Sequence, residues 1–178
     1  MEGFLLIDKP AGLTSHDVVD RVRRLTGEKR VGHAGTLDPF ATGLLIVGVG
    51  RGATREMQKL GGLDKVYEAE FVLGASSDTD DRTGQIVPAP TKSLPLTKGE
   101  LEGVLSRFTG KIEQVPPTYS AIKIDGKKMY EEARKGKPME AKARRVTIFS
   151  IKTPPDLPLV RGGELRLALT IHCSSGTY

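Results

Sequence analysis

The sequence predicts an α+β fold, a mixed and largely antiparallel sheet flanked by helices, and three observations carry this. Residues 145–151, RVTIFSI, and 164–173, ELRLALTIHC, alternate apolar with polar positions as half-buried strands do, with no helical pattern between them. Strands that follow one another in this way pair antiparallel. Two capping boxes, a weaker one at Thr14 and Asp17 and a clear one at Thr97 and Glu100, stand ahead of apolar residues at helical spacing.

FLLI at 4–7 reads as a short buried strand stopped by DKPAG. Thr14 then opens a helix in which Val18, Val19, Val22 and Leu25 share a face and which Gly27 ends. A glycine-rich loop, GHAGTLDPFATG, occupies 32–43, and LLIVGV at 44–49 is a second strand. TREMQKL at 54–60 is a short helix closed by Gly61 and Gly62. From 66 to 73 Tyr67, Ala69, Phe71 and Leu73 alternate with Val66, Glu68, Glu70 and Val72, a strand with one half-polar side. SSDTDDRTG is an acidic loop. The second capping box precedes Leu101, Val104, Leu105 and Phe108, with Gly110 as terminator. Asp125-Gly126 marks a turn, and a helix near 128–135 ends at Gly136. The elements are expected around one sheet.

With 27 basic and 22 acidic residues the net charge is +5, which suits a nucleic-acid partner without demonstrating one. The excess is local. Residues 123–152 hold ten basic and four acidic side chains, a charge of +6, so the rest of the chain sums to −1. A segment this concentrated is either a solvated helix face or a phosphate-contacting arm. One cysteine excludes an internal disulfide, and three scattered histidines give no zinc pattern. No apolar run approaches the roughly 20 residues of a membrane span, and the N-terminus lacks the pattern of a signal peptide, so a soluble cytoplasmic protein is expected. GVGRGA at 48–53 fits the dinucleotide fingerprint, but the helix after it is short and no regular βαβ series surrounds it. The acidic cluster at Asp78, Asp80 and Asp81 lacks EF-hand spacing, because Gly84 comes one place late.

Asp38 is the carboxylate to explain. It could cap a helix with Pro39 at the first position, but only PFAT would follow before Gly43. It could equally be a nucleophile on a backbone that lets a ligand come close. The residues alone leave both readings open.

The run GHAGTLDPFATGLLIVGVGRGATR resembles the signature of the TruB family of pseudouridine synthases. GFLLIDKPAGLTSHDVV is similar to that family's opening strand and lysine-proline turn, and DKVYEAEFVLGASSDTDDRTGQI to its tyrosine-bearing strand and acidic loop. QVPPTYSAIKIDGKKMYEEARKG resembles its RNA-gripping thumb, and LTIHCSSGTY the start of its last catalytic motif. The blocks cover nearly all 178 residues in the family's order.

The resemblance implies the pseudouridine synthase fold with a basic thumb-like insert, and isomerisation of a uridine in the T-loop of tRNA, position 55, without a cofactor. It implies Asp38 as nucleophile and Tyr67 as a catalytic residue that packs on the flipped uracil, although Tyr67 also lies on the apolar face of its strand. It implies His33 in the opened T-loop, Tyr178 lining the uridine pocket and Lys9, with Pro10, shaping or touching the substrate site. Lys128, Lys135, Lys137, Lys142, Arg144 and Arg145 become candidates for the RNA backbone. The partner implied is the T-arm of tRNA, with no membrane and no obligatory protein partner. The family pattern continues past GTY with an arginine that pairs with the aspartate. Residues 1–178 are therefore expected to be a truncated catalytic domain without its C-terminal RNA-binding domain and impaired in activity. Two alternatives share part of this pattern: an RNA-binding module without catalysis, and a synthase acting on ribosomal RNA.

Overall fold

In a computed structural model the protein is described for residues 2–88, 97–120, 122–153, 159–161 and 164–178. It divides into two compact units, Met1–Leu63 and Asp64–Tyr178.

The first unit runs β1 (Gly3–Lys9), α1 (Ser15–Thr26), β2 (Val31–Ala34), β3 (Gly43–Val49) and α2 (Gly50–Gly61). Its antiparallel sheet has the order β1-β3-β2. Both halves of the Thr14 capping box are made, and the hydrogen bond from the Thr14 hydroxyl holds the Asp17 carboxyl below its ordinary pKa. Val18, Val19 and Val22 of α1 close over Val31, Leu45, Val47 and Val49, all buried, with Ile7, Leu13 and Leu37 packed at the margin. Leu25, expected on this face, is 86% exposed and takes no part in the core.

Two differences from the sequence reading matter for the site. The first three residues of the expected loop, with Val31, form β2, so His33 lies on a strand opposite Val47. A strand of Val, Gly, His and Ala offers no alternation to read. Helix α2 starts at Gly50, four residues early, and Gly48 of the dinucleotide-like run serves helix–strand packing. A Cβ on Gly48 would stand 3.2 Å from the carbonyl carbon and oxygen of Ala53 and 2.9 Å from Met57 Cε. Val49 supplies no side-chain cap; the Glu2 carboxylate instead accepts the Gly52 N–H at the positive end of the helix.

The second unit contains β4 (Lys65–Leu73), β5 (Ala75–Ser77), β6 (Ile86–Pro88), α3 (Lys98–Ser106), β7 (Gly110–Gln114), β8 (Lys123–Ile124), β9 (Lys127–Lys128), α4 (Met129–Arg134), β10 (Arg144–Lys152), β11 (Leu159–Arg161) and β12 (Glu164–Cys173). Strand β12 is central: it pairs with β4 on one side and with β10 and β11 on the other, and β7 lies beyond β10. Leu101 and Leu105 of α3 pack on Leu167 and Leu169 of β12. The strands thus form two principal sheets and two small ribbons rather than one sheet, and every ladder among the described residues is antiparallel. Gly110 does not terminate α3. The helix ends at Ser106, the chain tightens through 107–109, and Gly110 opens β7 at φ +101°. No helix among the described residues is long and apolar enough to cross a membrane.

Gly48→Ala forces the Ala53 backbone outward and is expected to lower the unfolding free energy by about 1–3 kcal/mol. Gly103→Ala, in α3 with no atom within 4 Å of the added Cβ, is expected to raise it by about 0.4–1 kcal/mol. Urea unfolding of the two variants should move in opposite directions.

Candidate active site and nucleic-acid interface

The connection between β2 and β3 carries Asp38, and its geometry follows from what grips its neighbours. Leu37 is fixed from behind. Its side chain reaches the core, its N–H donates to Ser15 Oγ at 2.9 Å and its carbonyl accepts from the same hydroxyl at 3.2 Å. Pro39 is fixed from the other side, where its carbonyl accepts the Gly12 N–H at 2.7 Å and lies 3.4 Å from Lys9 Nζ. The Asp38 carbonyl then accepts the Ala41 N–H at 3.1 Å, closing a turn and not starting a helix. The helix-cap reading of Asp38 therefore fails. The residue is exposed between two pinned neighbours.

Lys9 is placed differently from a substrate contact. It is wholly buried, and its ammonium donates to the carbonyls of Pro10 at 3.1 Å, Leu13 at 2.7 Å and, more weakly, Pro39. Three carbonyl dipoles replace the water the charge has lost, which is the condition for burying an ammonium at all. Ser15, also buried, was missed in the sequence because TSHD reads only as a helix cap. His33, the third residue of β2, directs Nδ1 toward the Gly35 carbonyl and lies on the strand that leads into the Asp38 connection.

The second unit holds the two tyrosines. Tyr67 lies on β4 opposite Ile171 of β12 and is partly exposed. Tyr178 follows a segment tied down at several points. Ser174 N–H donates to the Thr147 carbonyl at 2.8 Å, Thr147 N–H donates to Ser174 Oγ at 3.0 Å, and Thr177 Oγ1 donates to the Ser174 carbonyl at 2.9 Å.

The basic segment separates into parts. Asp125 and Gly126, both at positive φ, turn the β8–β9 ribbon. At the two ends of α4 Lys128 pairs with Glu131 at 3.0 Å and Lys135 with Glu132 at 2.8 Å; these carboxylates raise the pKa of both ammonium groups. Tyr130 lies between Lys128 Nζ and the Arg134 guanidinium, 5.4 and 5.6 Å from its ring centre. Lys137 and Lys142 are exposed and form no ion pair among the described residues. Arg145 is 86% exposed on its side chain and only loosely paired with Glu113, at 3.8 Å. Arg144 belongs to β10 and lies against Tyr178, apart from the others. No group of three metal-ligating side chains occurs among the described residues.

A family model described as TruB family pseudouridylate synthase, N-terminal domain, matches residues 23–178. The protein called tRNA pseudouridine synthase B of Geobacillus thermodenitrificans is 45% identical over 178 residues, all of this chain and 59% of the relative. That of Geobacter sulfurreducens is 48% identical over 179 aligned positions, all of this chain and 56% of the relative. The chain thus spans less than two thirds of the length of these relatives. Among solved structures, a Cbf5-Nop10-Gar1 complex contains a chain that superposes with a TM-score of 0.66 at 25% identity, over 99% of this chain and 40% of that one. An H/ACA ribonucleoprotein bound to a substrate RNA containing 2'-deoxyuridine gives 0.64 at 22%, over 99% and 39%, a likeness of fold.

Lys9→Met removes the donor that three carbonyls share, so it is expected to cost about 1–3 kcal/mol of stability and to speed hydrogen exchange at Leu37 and Gly12. Unchanged stability and exchange, with RNA affinity lost, would return Lys9 to a direct substrate role.

Proposed function

The chain belongs to the TruB family of pseudouridylate synthases, and on that premise we propose that it isomerises a uridine of tRNA, position 55 in the T-loop, to pseudouridine, with Asp38 as nucleophile. The observation that carries this reading is that Asp38 is an exposed residue between two backbone positions that are fixed from inside the fold. The names of the relatives support tRNA as the substrate.

The reaction needs little apparatus. The N-glycosidic bond of uridine breaks, the base turns, and a carbon–carbon bond to the sugar forms. One proton leaves that carbon and one joins the freed nitrogen, so mass is unchanged and the balance calls for no oxidant or cofactor. An ionised carboxylate is a suitable nucleophile for such a centre, as in retaining glycosidases. It must be presented without wandering, because small displacements of a reacting group cost large factors in rate. The clamps on Leu37 and Pro39 provide this, and Lys9 acts through them as a positioning residue.

The base must leave its stack to reach Asp38, at a cost of a few kcal/mol. In this reading His33 enters the opened T-loop, and Tyr67 and Tyr178 offer rings to the extruded base. Tyr67 also serves proton transfer. Lys137, Lys142 and Arg145 hold phosphates of the T-arm, and Lys128 and Lys135 contribute less because glutamates already neutralise them.

Asp38→Asn keeps the shape of the side chain and removes the anion. In the full-length protein it should lower pseudouridine formation in a T-arm hairpin at least about a thousandfold, with hairpin affinity nearly unchanged. Retention of more than a few per cent of the rate would remove Asp38 from the role. For the basic segment, Lys137→Ala with Lys142→Ala should flatten the dependence of log K on log salt by up to about 0.7–0.9 per lost phosphate contact. Lys128→Ala with Lys135→Ala should change that slope less. Equal slopes for the two pairs would mean that the glutamates do not screen the arm.

A further inference from the structure

Arg144 and Gln114 are opposite each other in the β10–β7 ladder. Directly opposed residues of an antiparallel pair project to the same face, and both side chains reach Tyr178. Gln114 holds its backbone at two points. Gln114 Oε1 accepts the Tyr178 N–H at 3.0 Å, and Nε2 donates to the Tyr178 carbonyl at 2.6 Å. Arg144 holds its ring, with the guanidinium carbon 4.8 Å from the ring centre. The Nε and Nη2 of Arg144 are shut from solvent with no acceptor among the described residues, so contact with the ring, and not a hydrogen bond from either atom, holds that end of the guanidinium. Tyr178 remains 50% exposed, leaving ring surface that Arg144 does not cover.

We propose that Gln114 and Arg144 are positioning residues: a cross-strand pair that holds Tyr178 by its backbone and by its ring, so that the open surface of the ring is set to receive the target uracil. The proposal rests on the reading of Tyr178 as a wall of the uridine pocket. It also takes Arg144 out of the set of phosphate contacts, since its guanidinium is committed to the ring. A lysine keeps the charge but cannot lie flat on the ring.

The test compares two T-arm hairpins, one with uridine and one abasic at the target position, bound by the full-length protein. Arg144→Lys and Gln114→Ala should each weaken the uridine hairpin roughly three- to tenfold and leave the abasic hairpin unchanged. Tyr178→Ala should do the same, and in its background the Arg144→Lys effect should vanish. Melting temperatures of the variants check the fold, and the conservative Arg144→Lys guards against loss of the sheet. Equal weakening of both hairpins by Arg144→Lys, with a shallower salt slope, would make Arg144 a phosphate contact and overturn the proposal. So would an unchanged uridine hairpin in Arg144→Lys and Gln114→Ala while Tyr178→Ala is weakened. If Tyr178→Ala itself leaves binding unchanged, the pocket reading falls first and the clamp with it.

Discussion

A single buried ammonium organises the first unit. Lys9 ends β1, has no access to water, and satisfies its charge on carbonyls from the turn after β1 and from the Asp38 loop. A charge in that position is tolerable only while those carbonyls stay aimed at it. The need works in both directions, since opening the loop takes away one of the three carbonyls that face the charge. Ser15 adds a neutral staple at Leu37, and Leu37 adds apolar contact with the core. A loop rich in glycine, which entropy would otherwise keep mobile, is thereby held in one conformation around its carboxylate.

The second unit solves a related problem with a different interaction. Its candidate pocket wall is a flat ring, Tyr178, and what a ring needs is a fixed plane. The β7–β10 ladder supplies it through a glutamine and an arginine on one face of the sheet. The wider basic segment is less uniform than its composition implies. Two of its lysines are spent on glutamates one helical turn away, and cation–π contacts to Tyr130 engage Arg134. Charge counted along the sequence overstates the charge on offer to a phosphate.

Legibility in the sequence followed the strength of local patterns. The alternation of β4, β10 and β12 and the two capping boxes name their elements without help. β2 and β7 escape because VGHA and GKIEQ are short and carry little or no apolar periodicity; they are strands through their pairing with β3 and β10. The first turn of α2 escapes because glycine reads as a breaker, whereas here Gly50 and Gly52 stand inside the helix and Gly48 lets the strand approach it. Asp38, His33, Tyr67 and Tyr178 were candidates through family resemblance. Ser15 and Gln114 were not, because a staple between residues 22 apart and a clamp between residues 64 apart leave no local trace.

The centrality of β12 has a consequence for how the protein is made. The β4 ladder joins Leu73 to Leu165 and Lys65 to Cys173, so β4 is synthesised roughly a hundred residues ahead of its partner. At ordinary rates of elongation that is a wait on the order of 5–20 s. During it β4 has no ladder, and Val66, Tyr67, Phe71 and Val72 ride on an unpaired edge. Strands of the first unit meet their partners within the first 49 residues. The nascent chain therefore carries an early-closing unit followed by a sticky strand that is exposed for much longer. Glu68 and Glu70, interleaved among its apolar residues, are well placed to discourage that edge from pairing with another chain before β12 arrives.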